Sequence, residues 1–382
     1  MSEHAKLSAS GSDRWLSCPR SSAFEAQFPE PPNTKFSEEG TFAHAVAEQA
    51  LSVYLGLDMK QLPSGLTHYD SRDLREHVNT YVSFAVNLIE EARLKDASTT
   101  VLLERRVNFT KWVPEGFGTC DLIVVTNRTA YVVDLKFGQG LRVDAQGNSQ
   151  LRLYGVGAIE MFSHLHDFDQ VITIIVQPRL GHISKESLST KVLLAWAENE
   201  VAPKAKLAWA GKGEFVPGDH CRWCRGKAQC PARNESNLAI ARYDFAEPAS
   251  MSDSNIAEVL VKAQQLHAWV RDLEDFVYSQ AIAGRKWPGF KLVETRSSRK
   301  FKDVTLAAQV LIDAGISNDD IFERNLPSLT GLETKLGRNK FAQLFGDLVV
   351  KTPGKPTLVT VEDKRPEFHP LAASAADFLN IF

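Results

Sequence analysis

Hydrophobic and polar positions change period along the chain, and these changes predict the order of helices and strands. From Lys35 to about Lys95 apolar residues recur at three- and four-residue spacing, which is typical of amphipathic helices. Three short segments rich in Val, Ile and Leu follow, TTVLLERRVNF, GTCDLIVVTN and TAYVVDLKFG, and these predict neighbouring strands. Helical spacing returns in SQLRLYGVGAIEMFSHL, and QVITIIVQPRL predicts another, buried strand.

The second half of the chain is predicted to be mostly helical. A helix across LSTKVLLAWAENEVAPKAKLAWA leads into a cysteine-rich loop at 218–233, and a long amphipathic helix follows at about 252–283. Two or three short helices and a proline-bearing tail come next. This order predicts an α/β fold in which helices cover a mixed sheet, with a separate, mostly helical unit after about residue 250.

Composition indicates the cellular location that we expect and reveals one segment of concentrated positive charge. The 382 residues are 43% hydrophobic and 24% charged, no apolar run reaches the roughly 18–20 residues of a membrane span, and the N-terminus lacks a secretory signal. We therefore expect a cytoplasmic, reducing location without membrane association, where cysteines are metal ligands or free thiols. Net charge is only −3, but residues 285–302 hold seven basic residues against Glu294. That segment could neutralise phosphates or form a solvated strand pair.

A carboxylate–lysine pattern on the predicted strands carries the candidate chemistry. Asp134 and Lys136 lie two apart on one strand and therefore share a face. Asp121 lies where the preceding strand could bring its carboxylate beside Asp134, and converging carboxylates suit Mg²⁺ or Mn²⁺. A nearby lysine could position a water or stabilise charge on phosphorus, as phosphodiester hydrolysis requires. Glu104 is either a further ligand or a surface charge of an edge strand.

Two helices contribute further polar candidates. His44 lies on an apolar helix face with Glu48 four residues later, and it is either a core histidine or a ligand. Gln150 and Tyr154 have the same four-residue spacing on the helix after Lys136. They are either core residues or contacts to substrate.

Four cysteines bracket these motifs. Cys221, Cys224 and Cys230 form C-x2-C-x5-C, and Cys18 lies far upstream. Such a set could form a four-thiolate site, which selects Zn²⁺ or an iron–sulfur cluster. A thioredoxin-like role for CRWC needs a matching βαβ unit, and the third cysteine argues against it. Cys120 is expected to be a small buried residue.

The segments GTFAHAVAE, GTCDLIVV, VVDLKFG and QLRLY, in this order, resemble the RecB-type branch of the PD-(D/E)XK nucleases. The resemblance covers about residues 35–160. It implies a restriction-endonuclease-like core and metal ligation, with a catalytic lysine and two residues that orient the substrate. The implied ligands are His44, Asp121, Asp134 and the Leu135 carbonyl; the catalytic lysine is Lys136; the orienting residues are Gln150 and Tyr154.

The cysteines resemble the iron staple of AddB-type and CRISPR-adaptation RecB-type nucleases, in which one cysteine precedes the core and three follow it. This resemblance implies a structural [4Fe–4S] cluster, with zinc as the alternative. The expected division of the chain is an N-terminal segment (1–34), a nuclease core (35–210), a cysteine-cluster segment (211–250) and a helical and basic unit (251–382). The last part also resembles an uncharacterised family common in phages and prophages.

The resulting expectation is a Mg²⁺- or Mn²⁺-dependent deoxyribonuclease, acting as an exonuclease on DNA ends or single strands in phage recombination or replication. No G-x-x-x-x-G-K-[ST] loop is present, so the chain carries no helicase motor of that type. The apolar tail SAADFLNIF could dock a single-strand-binding or recombination protein, or it could be a frayed end. The alternatives are a non-catalytic DNA-end-binding protein with a structural cluster, and a redox protein that uses the cluster for electron transfer.

Overall fold

The structure is a computed structural model that describes residues 5–240, 252–291 and 337–345, together with residues 309, 312, 313, 329, 332 and 349. Contacts divide the chain into two compact units, residues 1–278 and 279–382. The four-part division expected from the sequence stays a prediction.

A five-stranded mixed sheet forms the centre of the first unit. Its strands are β1 (Thr100–Asn108), β2 (Phe117–Val125), β3 (Thr129–Leu135), β4 (Gln170–Gln177) and β5 (His182–Ser189). They lie in chain order, and every neighbouring pair is antiparallel except β3 and β4, which are parallel. A parallel pair needs a crossover connection, and a helix between the two strands supplies it.

Helices flank the sheet, and the mixed α/β architecture expected from the sequence is confirmed. The α-helices of the described residues are α1 (Ser12–Ser17), α2 (Ser21–Glu25), α3 (Lys35–Leu55), α4 (Arg72–Lys95), α5 (Ser149–Phe162), α6 (Thr190–Trp196), α7 (Ala202–Trp209), α8 (Pro231–Ile240), α9 (Asp253–Ile282) and α10 (Arg338–Phe345). Short 3-10 turns lie at Ser64–Tyr69, Pro178–Leu180 and Asp219–Trp223, and a π-helical turn at Ala197–Val201 joins α6 to α7. None of the described helices has the length and apolarity needed to cross a membrane.

Two hydrophobic clusters cover the two faces of the sheet. On the face that we call the α5 face, the sheet packs against α1, α5, α6 and α7, with Trp15, Leu151 and Ala205 among the buried residues. On the opposite face, which we call the α3 face, it packs against α3 and α4, with Phe42 and Tyr81 buried. The sheet is therefore the middle layer of three, and its side chains are divided between two cores.

Local caps set where the helices that border the site begin. Thr34 and Ser37 form a reciprocal capping box at the start of α3, and Gly56 ends that helix in the left-handed conformation. The Asn148 side chain accepts a hydrogen bond from the Leu151 amide at the start of α5. These caps fix the register in which both helices present polar side chains to the sheet.

The structure corrects the sequence-based prediction in two places. β5 was not predicted, because HISKESLS contains only two aliphatic residues, and an edge strand with one covered face needs few. The loop predicted at 218–233 contains the 3-10 turn at Asp219–Trp223 and the first residues of α8. Most of the basic segment, from residue 292 on, lies outside the described residues, as do the proline-bearing tail from residue 350 on and SAADFLNIF.

The N-terminal segment packs against the chain that follows α7. Buried Glu25 accepts a hydrogen bond from Arg14 Nε at 2.6 Å and another from the Arg225 amide at 2.8 Å. The Phe24 ring lies edge-on to Phe215, with 5.2 Å between centroids. A Cβ on Gly226 would lie only 2.2 Å from Phe24, so this close approach requires glycine. Protein contacts alone therefore join regions about two hundred residues apart.

We predict that Glu25→Ala lowers the free energy of unfolding of the first unit by about 3 kcal/mol, because it leaves a partly buried guanidinium and a backbone amide without their acceptor. Urea unfolding followed by circular dichroism measures the change. Glu30→Ala is the matched control, since this carboxylate is 89% exposed and lies 3.6 Å from Arg225. It should change the unfolding free energy by less than about 0.5 kcal/mol. Equal effects of the two substitutions would contradict a special role for Glu25.

Candidate metal and catalytic site

Three carboxylates meet at the end of the sheet where β2 and β3 separate. The last pair of the β2–β3 ladder is Leu122 with Val133, so the register brings Asp121 and Asp134 next to each other just beyond it. On the other side of β2, the same counting places Glu104 opposite Asp121. Three neighbouring strands therefore contribute one acidic side chain each.

The regular alternation of side chains is interrupted at this point. Cys120 packs in the core of the α5 face, whereas Leu122, two residues later, packs in the core of the α3 face. On β1, Leu103 and Val107 are divided between the two faces in the same way. Glu104 has a φ of 43°, in the left-handed region that non-glycine residues rarely adopt. Such strain costs on the order of 1–3 kcal/mol and is concentrated at functional sites.

The interruption gathers a group of possible ligands on the α3 face. One atom each from His44, Glu104 and Asp121 can be chosen so that all three lie within 4.8 Å of one another. His44 Nδ1 lies 3.4 Å from Asp121 Oδ2, and the Leu135 amide donates to the same oxygen at 2.7 Å. One imidazole and two carboxylates are ligands that divalent cations accept.

The pocket around this group is the size of a single ion. Its volume is about 10 Å³, close to that of one water-sized sphere. Tyr81 lines the pocket and is 1% exposed, and its hydroxyl has no hydrogen-bond partner. Glu48 also lines it, and its carboxylate pairs with Lys60 at 2.5 Å. The donor set, the small volume and the unpartnered buried hydroxyl all fit a bound cation.

Asp134 and Lys136 occupy the α5 face of the same sheet end. Lys136 Nζ lies 3.0 Å from Asp134 Oδ2 and donates to Gln150 Oε1 at 3.1 Å. Gln150 Nε2 donates to Asp134 Oδ1 and to the Tyr154 hydroxyl, both at 3.1 Å. Asp134 Oδ2 is buried, and the Lys136 ammonium beside it compensates its negative charge.

Burial and the crowded carboxylates shift the pKa values of the site. Burial opposes the charged imidazolium of His44, but Asp121 beside it outweighs burial and raises its pKa to about 9. Burial and the neighbouring Asp121 raise the pKa of Glu104 to about 7. Burial raises the pKa of Asp134, and Lys136 opposes that rise. Burial would lower the pKa of Lys136, but Asp134 raises it. The site therefore attracts positive charge, which protons or a metal ion can provide.

A glycine of the strand motif makes room for Tyr154. A Cβ on Gly118 would lie 2.6 Å from Cε1 of Tyr154, closer than packed atoms approach. Gly118 is thus needed where the Tyr154 ring of α5 packs against β2. We did not infer this role from the sequence. The signal available there was a glycine within a strand pattern, which often marks a close approach.

All eight predicted nuclease residues lie at this end of the sheet, in two groups. From the sequence, Glu104 was either a further ligand or a surface charge. It belongs to the group of three possible ligands with His44 and Asp121. Asp134 lies with Lys136 on the other face. The Leu135 amide is the group that contacts Asp121, and the ligand role of its carbonyl stays a prediction. Lys60 and Tyr81 were missed, because a loop lysine and a tyrosine on the apolar face of an amphipathic helix carry no local signal.

The four bracketing cysteines are buried in the region where the N-terminal segment meets residues 214–230. The Val216 amide donates to Cys18 Sγ at 3.5 Å, and the Gly218 amide donates to Cys221 Sγ at 3.4 Å. The Gly226 amide makes a similar bond to Cys224.

The spacing of these sulfurs bears on which metal they could hold. Four sulfurs around one zinc ion lie about 3.8 Å apart, as follows from the Zn–S distance in a tetrahedral site. In the described parts of the chain, no three cysteine sulfurs lie within 4.8 Å of one another. The amide-to-sulfur bonds match those that tune the sulfurs of iron–sulfur clusters. Cys120 is separate and fully buried in the sheet, and its thiol points to the Leu122 carbonyl.

We predict that the chain binds Mn²⁺ and that Glu104→Gln weakens this binding at least tenfold, about 1.4 kcal/mol. The substitution removes one of the two carboxylate charges from the group on the α3 face while keeping its shape. Isothermal titration calorimetry on the full chain measures the dissociation constant. Glu91→Gln removes an exposed carboxylate of α4 and should leave the constant unchanged. Similar constants for the two variants would show that Glu104 is not a ligand.

Comparison with known proteins gives a family and a weak structural likeness. The solved structure described as "Crystal structure of SSO0001" aligns at 14% sequence identity over 58% of this chain and 96% of its own, with a TM-score of 0.23. That likeness carries no argument about fold or function. The profile of the family DUF2800, described as "Protein of unknown function", matches residues 4–366. Because this match spans nearly the whole chain, the protein belongs to the DUF2800 family.

Proposed function

We propose that this protein is a metal-dependent DNA nuclease of the RecB-type PD-(D/E)XK class that hydrolyses phosphodiester bonds. One observation carries the proposal: the ion-sized pocket of His44, Glu104 and Asp121 adjoins the ion pair of buried Asp134 and partly exposed Lys136. A structural ion pair alone would not need a strained glutamate and a second buried acid beside it.

The chemistry follows from the groups present. Hydrolysis joins a water oxygen to phosphorus and breaks one phosphorus–oxygen ester bond. A divalent cation, once bound, would polarise the phosphate and lower the pKa of a water. Lys136 has three N–H donors, of which Gln150 and Asp134 engage two, and its side chain is 30% exposed. It can therefore orient the water or stabilise the negative charge that develops on the phosphate oxygens.

Gln150 acts as the positioning residue of this arrangement. Its side-chain amide contacts Asp134, Lys136 and Tyr154. The relative orientation of the Asp134 carboxylate and the Lys136 ammonium therefore depends on this one side chain. Asn148 caps the helix that carries it, two residues earlier. The glutamine and tyrosine that the resemblance assigns to substrate contact thus also hold the charged pair in place.

The cysteines support a second part of the proposal, a structural [4Fe–4S] cluster held by Cys18, Cys221, Cys224 and Cys230. Burial and backbone N–H···S bonds favour it. The cluster would reinforce a contact between chain regions that Glu25 and Phe24 already join. We infer a stabilising role, because metal binding to such sites contributes on the order of 10 kcal/mol to folding.

The biological assignment extends the same proposal. We propose that the enzyme acts as an exonuclease on DNA ends or single strands during phage recombination or replication, in partnership with a single-strand-binding or recombination protein. The support is the order of the four nuclease motifs with cysteines on both sides of them.

We predict that Lys136→Ala abolishes cleavage of DNA in Mg²⁺ or Mn²⁺, a loss of at least about a hundredfold if the lysine stabilises transition-state charge. Time courses on end-labelled linear DNA and on closed circular DNA measure it and separate exonuclease from endonuclease action. Lys191→Ala, an exposed lysine in the first turn of α6, should cleave at the rate of the unmodified chain.

Two outcomes would overturn this assignment. Undiminished cleavage by the folded Lys136 variant would remove the lysine from the mechanism. Binding of DNA without turnover by the unmodified chain in either metal would instead support the DNA-end-binding protein.

We predict that anaerobically purified protein is brown and contains iron and acid-labile sulfide, and that Cys224→Ser loses both together with thermal stability. Visible absorption, elemental analysis and a melting curve measure these properties. Cys120→Ala, which alters the cysteine outside the proposed set, should keep the iron. Stoichiometric zinc in colourless protein would contradict the iron–sulfur cluster.

A further inference from the structure

Exposed arginines on β1 lie directly beside the proposed active site. Arg105 and Arg106 follow Glu104 on the edge strand of the sheet, and both are exposed. Among the described residues, neither guanidinium forms an ion pair. Their charge is therefore available to an outside partner, within about 7 Å of Glu104 along the strand.

Arg106 is held in a defined orientation. Its guanidinium lies 3.5 Å above the centroid of the Phe117 ring on the neighbouring strand. Stacking on one face leaves the N–H groups at the edge of the guanidinium free to donate, which suits a planar fork that binds phosphate. A side chain ordered in this way loses less conformational entropy when it binds.

A cavity adjoins Arg106 between β1, the turn after it and α5. Its volume is about 270 Å³, and its polar lining comes from β1, the turn after it and α5. Arg106, Asn108, Thr110 and Lys111 contribute donors, against one acid, Glu160. Lys111 and Glu160 are 3.9 Å apart and both well exposed, so this pair holds the lysine only weakly.

We propose that this surface, the β1 arginine strip of Arg105, Arg106 and Lys111, binds the phosphodiester backbone of the DNA strand whose scissile phosphate would contact a cation held by His44, Glu104 and Asp121. The inference rests on the proposed nuclease function and names where its substrate lies. Phosphate contacts of this kind fix the register of a nucleic acid without reading its sequence.

The alternative use of arginines on an edge strand is to block edge-to-edge pairing with other sheets. That use is less needed here. The left-handed Glu104 already interrupts the regular strand that a partner strand would need as a template. The arginines also lie next to the proposed active site. A role in blocking strand pairing would not require Arg106 to be ordered on the Phe117 ring.

Salt dependence of DNA binding tests the proposal. Fluorescein-labelled single-stranded and hairpin-duplex oligonucleotides are titrated with the full chain, without added divalent metal, over a range of salt concentrations. Replacing both residues, Arg105→Ala with Arg106→Ala, should reduce the slope of log affinity against log salt by about 0.7 per arginine for the single strand or about 0.9 for the duplex. Arg105→Lys with Arg106→Lys should keep most of the slope, because the charges remain.

The control replaces two exposed arginines that are already paired, Arg93 with Glu90 and Arg128 with Asp169. Arg93→Ala with Arg128→Ala should leave the slope unchanged. If the alanine pair on β1 unfolds, Arg105→Gln with Arg106→Gln is measured in its place.

An unaltered slope in a folded β1 variant overturns the proposal, whether or not the unmodified chain cleaves DNA. A reduced slope supports it even if no cleavage is found, in which case the nuclease function alone fails.

Discussion

The concentration of negative charge where β3 ends beside the middle of β1 and β2 is the constraint on which the rest of the site depends. Strand register brings Glu104, Asp121 and Asp134 together, and three carboxylates at this distance repel one another unless positive charge lies among them. His44 from α3 and Lys136 from the end of β3 supply it from the two faces of the sheet. The caps at the start of α3 and α5 therefore help to position the side chains that these helices contribute to the site.

The two faces contribute different chemistry to one centre. The α3 face carries an ion-sized pocket with nitrogen and oxygen atoms that could bind a cation, and the α5 face carries the Asp134–Lys136 pair organised by Gln150. The strained backbone at Glu104 makes this division possible, because a regular strand would not have brought its carboxylate to the pocket. Strain at this point is offset by the two hydrophobic cores that hold β1 and β2 on either side.

A second constraint lies far from the carboxylates in sequence. Glu25 and Phe24 contact residues 215–226 and so join the N-terminal segment to them. The four cysteines are buried in the same region. α1, which precedes Cys18, packs its Trp15 into the core of the α5 face. A cluster at this position would stabilise a helix that covers the sheet, so the effect of its loss would extend to the core beneath Lys136.

The sequence by itself determined the order of the main helices and strands, the lysine on the same face as Asp134, and the candidate residues that meet at one end of the sheet. Periods of two and 3.6 residues are local properties, so local patterns reveal them. Only the tertiary structure decided that Glu104 joins His44 and Asp121, that Tyr81 and Lys60 border the pocket, and that Gly118 admits the ring of Tyr154. β5 also escaped the sequence pattern, because its stability comes from pairing with β4 and not from its own side chains. Those outcomes depend on a break in strand alternation and on contacts between distant segments, which no single stretch of sequence encodes.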